Sequence, residues 1–235
     1  MKTFGKLKLM VIGILLMAGM SSCLKSSDPS FGIAPYLAYI VQEGHGETAE
    51  FTPAMQLYGN KPIDVSTTSP VCKFENRNYY FEPVAESNNA LFELTSAMNT
   101  SVDTVKAWTC SITAISKTEE PESASISFSF TPKKVLGEFN VASLTYNGAD
   151  NKVTGEWMKV DNASEYILVY RKGSRRMWLP VATFVVAEKD GKITANATLN
   201  GITKDSTMEI AVAASNGTFW SIEGRKPIIG GTDAK

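Results

Sequence analysis

Apolar and polar residues alternate with a period of two along most of this chain. The clearest run is Ser123–Phe130, SASISFSF, where Ala124, Ile126, Phe128 and Phe130 fall on one side and serines on the other. Successive side chains of a strand point to opposite faces, so the run predicts a half-buried β-strand. Trp108, Cys110, Ile112 and Ala114 repeat the pattern, and Lys117–Glu122 between the two runs predicts a hairpin loop. Later in the chain, Val153, Gly155 and Trp157 share one face of a strand. Tyr166, Leu168 and Tyr170 share a face of the next, as do Met208, Ile210, Val212 and Ala214 of a third. Such sets meet as the core between two stacked sheets. Asn147-Gly148, Asp190-Gly191 and Asn216-Gly217 separate these runs. Pairs of this kind tolerate positive φ and mark tight turns. Asn89–Met98 is the one stretch whose pattern admits a helical turn or two.

Thr131-Pro132-Lys133-Lys134 interrupts the alternation near mid-chain. Proline cannot donate into a ladder and paired lysines seek water, so a boundary is expected there. The expected architecture is all-β, with two tandem antiparallel β-sandwiches at residues 34–132 and 136–232, each of about 100 residues.

The first residues follow a different rule. Lys2, Lys6 and Lys8 precede the uncharged run Leu9–Met20, and small residues then lead to Cys23. The run is too short to span a bilayer, which takes about 20 apolar residues, and reads as a signal-peptide core. Residues 1–23 resemble a bacterial lipoprotein signal, in which cleavage falls just before a cysteine that is then acylated. Met20 stands where that pattern usually has leucine. The resemblance implies residues 1–22 as signal peptide, a lipidated Cys23, and residues 23–33 as anchor and tether. Leu24 rather than Asp follows the cysteine, which in this class implies the outer membrane. Asp28 is the one acid in the tether, so cell surface and periplasmic face both stay open.

Composition then narrows the partners. The chain has 235 residues, 43% hydrophobic and 20% charged, which excludes disorder throughout. Its formal net charge is −1, and loss of residues 1–22 removes three lysines and no acid, leaving a mildly acidic body. A nucleic-acid binder shows the opposite balance.

Residues from about 138 to 228 resemble a fibronectin type III module. Trp157 sits at the family's core tryptophan, Tyr166–Arg171 at its third strand, and Leu199-Asn200-Gly201-Ile202 with Thr207–Asn216 at its leucine bend and penultimate strand. Met208 replaces the tyrosine that makes the family's hydrogen-bonded corner. In the first half, Trp108-Thr109-Cys110 with Ala114 is similar to the aromatic-x-Cys strand of immunoglobulin domains, which implies an Ig-like sandwich.

Cys72 and Cys110 are the cysteines that remain beside Cys23, and by parity both face the core. In an oxidising envelope they form either a disulfide or a pair of buried thiols. Two thiols with no nearby histidine fall short of the four ligands of a structural metal site. His45, the sole histidine, lies in Gly44-His45-Gly46, and Glu119, Glu120 and Glu122 crowd one hairpin loop; both read as solvated turns. No Gly-x-Ser-x-Gly elbow or phosphate loop occurs, so neither catalytic residues nor a cofactor are assigned.

The remaining candidates are aromatic. Trp178, beside Arg175 and Arg176, and Phe219-Trp220 lie near expected loops or edges. Exposed rings there would stack on sugars, with Arg171, Lys172, Arg175 and Arg176 meeting acidic groups. The competing reading has Trp178 and Trp220 covering the ends of the sandwich. The sequence thus points to a non-catalytic, lipid-anchored envelope binding protein. Its partner is either a glycan beside an outer-membrane uptake system or an envelope protein for which the chain is an adaptor. Only fold-level analogy connects it to uptake.

Overall fold

The computed structural model describes residues 30–65, 70–74, 77–85, 87–88, 90–94, 107–131, 133–173, 175, 177–200, 202 and 207–228. The expected signal peptide, Cys23, the tether to residue 29, and Arg176 lie outside the described residues. Strands dominate. The first half contains β1 (Ile33–Glu43), β2 (Glu50–Gly59), β3 (Val71–Phe74), β4 (Arg77–Pro83), β5 (Leu91–Leu94), β6 (Trp108–Ile115) and β7 (Ser123–Phe130). The second contains β8 (Val141–Asn147), β9 (Lys152–Met158), β10 (Glu165–Lys172), β11 (Leu179–Thr183), β12 (Val185–Lys189), β13 (Lys192–Thr198), β14 (Met208–Ser215) and β15 (Phe219–Pro227). Among the described residues, no helix is long and apolar enough to cross a membrane. Within Asn89–Met98 the structure corrects the helical expectation. Leu91–Leu94 is strand β5, with Phe92 fully buried, while Asn89 and residues 95–98 lie outside the described residues.

In the second half, one sheet runs β12-β13-β9-β8 and the facing layer runs β11-β10-β14-β15. Read in chain order, this is the A-B-E-D layer against the C-F-G layer of an immunoglobulin-type sandwich, with one added strand. The chain changes layers at buried Phe184, whose N–H donates to Tyr166 O at 2.9 Å. The core holds the expected parity sets. Trp157 packs at ring-centroid distances of 5.2 Å from Tyr166, 5.3 Å from Phe184 and 6.3 Å from Phe139. The Trp157 ring lies so close over Gly155 that a Cβ there would meet Cζ3 at 2.7 Å. Asp190 and Gly191 both take positive φ in the β12–β13 turn, which is why Asp-Gly stands there. Met208 is fully buried at the start of β14, so packing occupies the place of the missing tyrosine.

In the first half, β4 belongs to two layers. Residues 77–80 pair with β3, and residues 81–83 pair with β5. The sheet order β1-β2-β5-β4-β3-β6-β7 therefore folds over at β4, and β7 comes to lie against β1. Cys72, Phe74, Tyr79, Cys110, Ile112 and Phe130 fill the space between the layers.

One feature joins the halves. β1 pairs in parallel with β15, with Ile40 opposite Phe219 and Val41 opposite Trp220. Among the described residues, every other strand pair is antiparallel. This seam makes one sheet of eleven strands across the whole body. The Thr131–Lys134 region does not hang free beside it. Leu136 N–H donates to Gln42 Oε1 at 2.8 Å, and Gln42 Nε2 donates back to Leu136 O at 2.9 Å. Asn216 holds Lys134 O and Thr218 holds Thr131 O.

Candidate functional site

The segment after β10 carries the residues that the sequence singled out, and it folds back over the outer face of the large sheet. Strand parity sets up that face: Ile167 and Val169 of β10, Ala211 and Ala213 of β14, Trp220 and Ile222 of β15, and Tyr39 of β1 all point outward and are buried. A sheet face of this kind needs a cover, and Met177 and Trp178 provide it. The hydroxyl of Tyr39 donates to Trp178 O at 2.9 Å and accepts the Trp178 N–H at 3.1 Å. Its ring stacks on Trp220 at 4.0 Å with 12° between planes. Burial pushes the Tyr39 phenol well above its ordinary range. The hydrogen bond to Trp178 opposes the shift and the Glu93 carboxylate adds to it.

Two ion pairs fasten the cover. The Arg171 guanidinium lies 4.6 Å over the Trp178 ring and bonds Glu209, with Nε at 2.7 Å from Oε2. Arg175 reaches Glu93 on β5, with Nε at 2.9 Å and Nη2 at 2.5 Å from the same carboxylate oxygen. Gln56 Nε2 donates to that oxygen at 3.0 Å. Glu93 is buried, and a buried carboxylate demands such partners.

The stacking platform therefore needs correction. Trp178 is 4% exposed and Trp220 7%, while Phe219 is fully buried against Phe51 at 4.9 Å. Arg171 occupies one face of Trp178 and Tyr39 one face of Trp220, so these rings offer no broad free surface to a sugar. Arg175 is committed to Glu93 rather than to a ligand. Sequence reasoning missed Tyr39, Gln56 and Glu93. Glu93 did leave a signal: a lone carboxylate inside Leu-Phe-Glu-Leu has to find a partner once the strand is buried.

The other candidates lie elsewhere. Cys72 on β3 and Cys110 on β6 occupy neighbouring strands of one layer, fully buried, with sulfurs 2.7 Å apart. The adjacent Cys72 thiol, and then burial, push the Cys110 thiol upward. An immunoglobulin disulfide would instead connect two layers. His45 is exposed between Gly44 and Gly46, both at positive φ. Glu119 and Glu120 are exposed, but Glu122 accepts the Phe31 N–H and pairs with Lys61 at 3.4 Å. The Phe31 hydrogen bond chiefly, with help from Lys61, holds the Glu122 carboxyl below its ordinary range. A cavity of about 230 Å³ is lined by Asn140, Ala142, Trp157, Met158 and Lys192. Its lysine is paired with Glu156 at 2.7 Å. Among the described residues, no group of three or more His, Cys, Asp or Glu side chains could hold a metal ion.

One open feature is a sheet edge. β12 ends the four-stranded sheet, and all five of its residues are exposed, with Val185 at 68%. Its two-residue turn makes Lys189 and Lys192 a hydrogen-bonded pair, and the pattern alternates along the strand. Val185, Ala187 and Lys189 thus direct their backbone groups to β13, while Val186 and Glu188 direct theirs outward.

No protein-family model matches this chain, and no curated protein does. Among solved structures it is similar to bovine butyrophilin, at 8% identity and a TM-score of 0.26, over 84% of this chain and 98% of that one. A likeness at this level carries no argument.

Proposed function

We propose that the chain is a non-catalytic, lipid-anchored adaptor of the bacterial outer membrane that holds a protein partner by adding an extended partner segment to β12. The open edge carries this reading. Val186 and Glu188 present unpaired backbone groups to solvent, and Val185 and Val186 offer apolar side chains to an added strand. Burial of Trp178, Trp220 and Phe219 weighs against the glycan alternative, because the rings that would stack on sugar are already covered.

Val186→Pro tests the proposal, since it removes one outward N–H without touching the ladder to β13. A chemically crosslinked complex between the full lipidated chain and an envelope protein is expected for the wild type and absent for the variant, with thermal unfolding unchanged. A complex that survives Val186→Pro overturns the proposal. So does retardation of the chain by a polysaccharide in affinity electrophoresis with no protein complex formed.

A further inference from the structure

We propose that the end of the first half where the chain joins β1 rests in the lipid headgroup layer, with Tyr36 and Tyr58 as its interfacial contacts. The inference deepens the lipid-anchor reading and rests on it.

Strand direction defines the end. β1 starts there opposite the close of β2, with Ile33 facing Gly59. β5 starts beside it, with Leu91 facing Tyr58. β6 finishes and β7 begins at the same level, where Ile115 faces Ser123, and Ile63 bridges to Ser116. Among the described residues of the first half, the exposed large apolar side chains Tyr36 (77%), Tyr58 (48%), Val65 and Ile115 gather toward this end, while Tyr80 stands midway along β4. Tyr36 sits where the β1–β2 register shifts between Pro35 and Leu37, and Tyr58 is the penultimate residue of β2. At the opposite end of β1 the chain instead turns through exposed Glu43, His45 and Glu47.

The route from the anchor to this end is short and firmly held. Phe31 is buried and its N–H is bonded by Glu122. Gly32 N–H donates to Asn60 Oδ1 at 2.9 Å, and Asn60 Nδ2 donates to Ser30 O at 3.0 Å. Only the stretch from Cys23 to Ser30 is left to bridge to the bilayer, at most about 25 Å when fully extended. This end is therefore the part of the body nearest the acyl chains. Tyrosine suits that position, having an apolar ring and a hydroxyl that stays hydrated among headgroups. The acidic body gives no electrostatic pull toward anionic lipid, so the contact is apolar and insensitive to salt.

The mature lipidated chain, reconstituted in phosphatidylethanolamine/phosphatidylglycerol vesicles, carries a photoreactive benzoylphenylalanine at position 36, 58 or 158. Position 158 is the control, because Met158 has an exposure between those of Tyr36 and Tyr58 but lies in the second half. Lipid adducts are expected at 36 and 58 and not at 158, unchanged in high salt. An acylated chain that floats with the vesicles yet gives no adducts at 36 and 58, or equal adducts at all three positions, overturns this inference and leaves the anchor standing. A mature chain whose mass shows no acyl group overturns the anchor and this inference together.

Discussion

The hydroxyl of Tyr39 on β1 is bonded to both backbone groups of Trp178, at 2.9 Å to its carbonyl and 3.1 Å to its N–H, across 139 positions of sequence. One phenol thereby satisfies the N–H and the carbonyl of a buried residue of the covering segment and fixes that segment to a strand of the other half. Tyr39→Phe keeps the stack on Trp220 and removes only the hydroxyl. Two buried backbone groups then lack a partner, which costs about 1–3 kcal/mol. For a body this size, a melting point lower by about 2–4 °C per kcal/mol follows, readable by calorimetry.

The same residue gives a pH dependence with a defined sign. The folded state holds the Tyr39 phenol protonated because burial raises its pKa, whereas the unfolded chain releases that proton near pH 10. Above that pH the unfolded state binds fewer protons, so this contribution to stability is complete at lower pH and declines as pH rises. Denaturant titrations at pH 9 and pH 11 should show a smaller alkaline loss in Tyr39→Phe than in the wild type. Equal losses would show that Tyr39 ionises freely in the folded state.

What could be read in advance was whatever the chain writes locally. The alternation of Ser123–Phe130, the Asp190-Gly191 turn and the core place of Trp157 each follow from a few adjacent residues, and the fold carries all three. The β1–β15 seam has no such local mark, because its partners come from opposite ends of the chain. Trp178 is undecided in the sequence for the same reason: Arg-Arg-Met-Trp fits a wet basic loop as well as a cover, and contacts with Tyr39, Arg171 and the sheet beneath bury it. Leu91–Leu94 is too short for its periodicity to separate strand from helix.

Arg175 and Glu93 form the second fastening, and truncating one side should hurt more than replacing both. Arg175→Ala leaves a buried carboxylate held by the Gln56 amide without its guanidinium, at a cost of about 3 kcal/mol. The double variant Arg175→Met/Glu93→Leu should recover part of that loss, since no charge is then left buried and only the Gln56 amide loses its acceptor. A double-mutant cycle by urea unfolding measures the coupling, and additive losses would show that the pair contributes nothing.

Cys72 and Cys110 meet inside the first half, away from solvent and on neighbouring strands. In chain exported to an oxidising compartment a bridge is expected between them. Under denaturing conditions without reductant, intact-mass analysis should show neither residue alkylated, and reduction should expose both. Loss of the bridge should cost about 2–4 kcal/mol. Two alkylated cysteines before reduction would identify a free thiol pair.

Gln42 decides whether the two halves unfold together. It is buried, accepts from Leu136 N–H and donates to Leu136 O, so one side chain replaces the neighbour that the connecting segment would find in a ladder. The parallel β1–β15 pairing lies next to it, with Ile40 N–H donating to Thr218 O at 3.0 Å. Tyr39–Trp178 and Arg175–Glu93 cross the same junction on the outer face of the sheet. With that many buried contacts shared, neither half can open without exposing polar groups of the other. A single calorimetric transition is expected, with the van't Hoff enthalpy equal to the measured one. Gln42→Ala orphans both backbone groups of Leu136 and should split or broaden that transition and open the chain to proteolysis near Lys133–Lys134. Two separate transitions in the wild type would mean that the halves are independent modules and that the seam adds little to their stability.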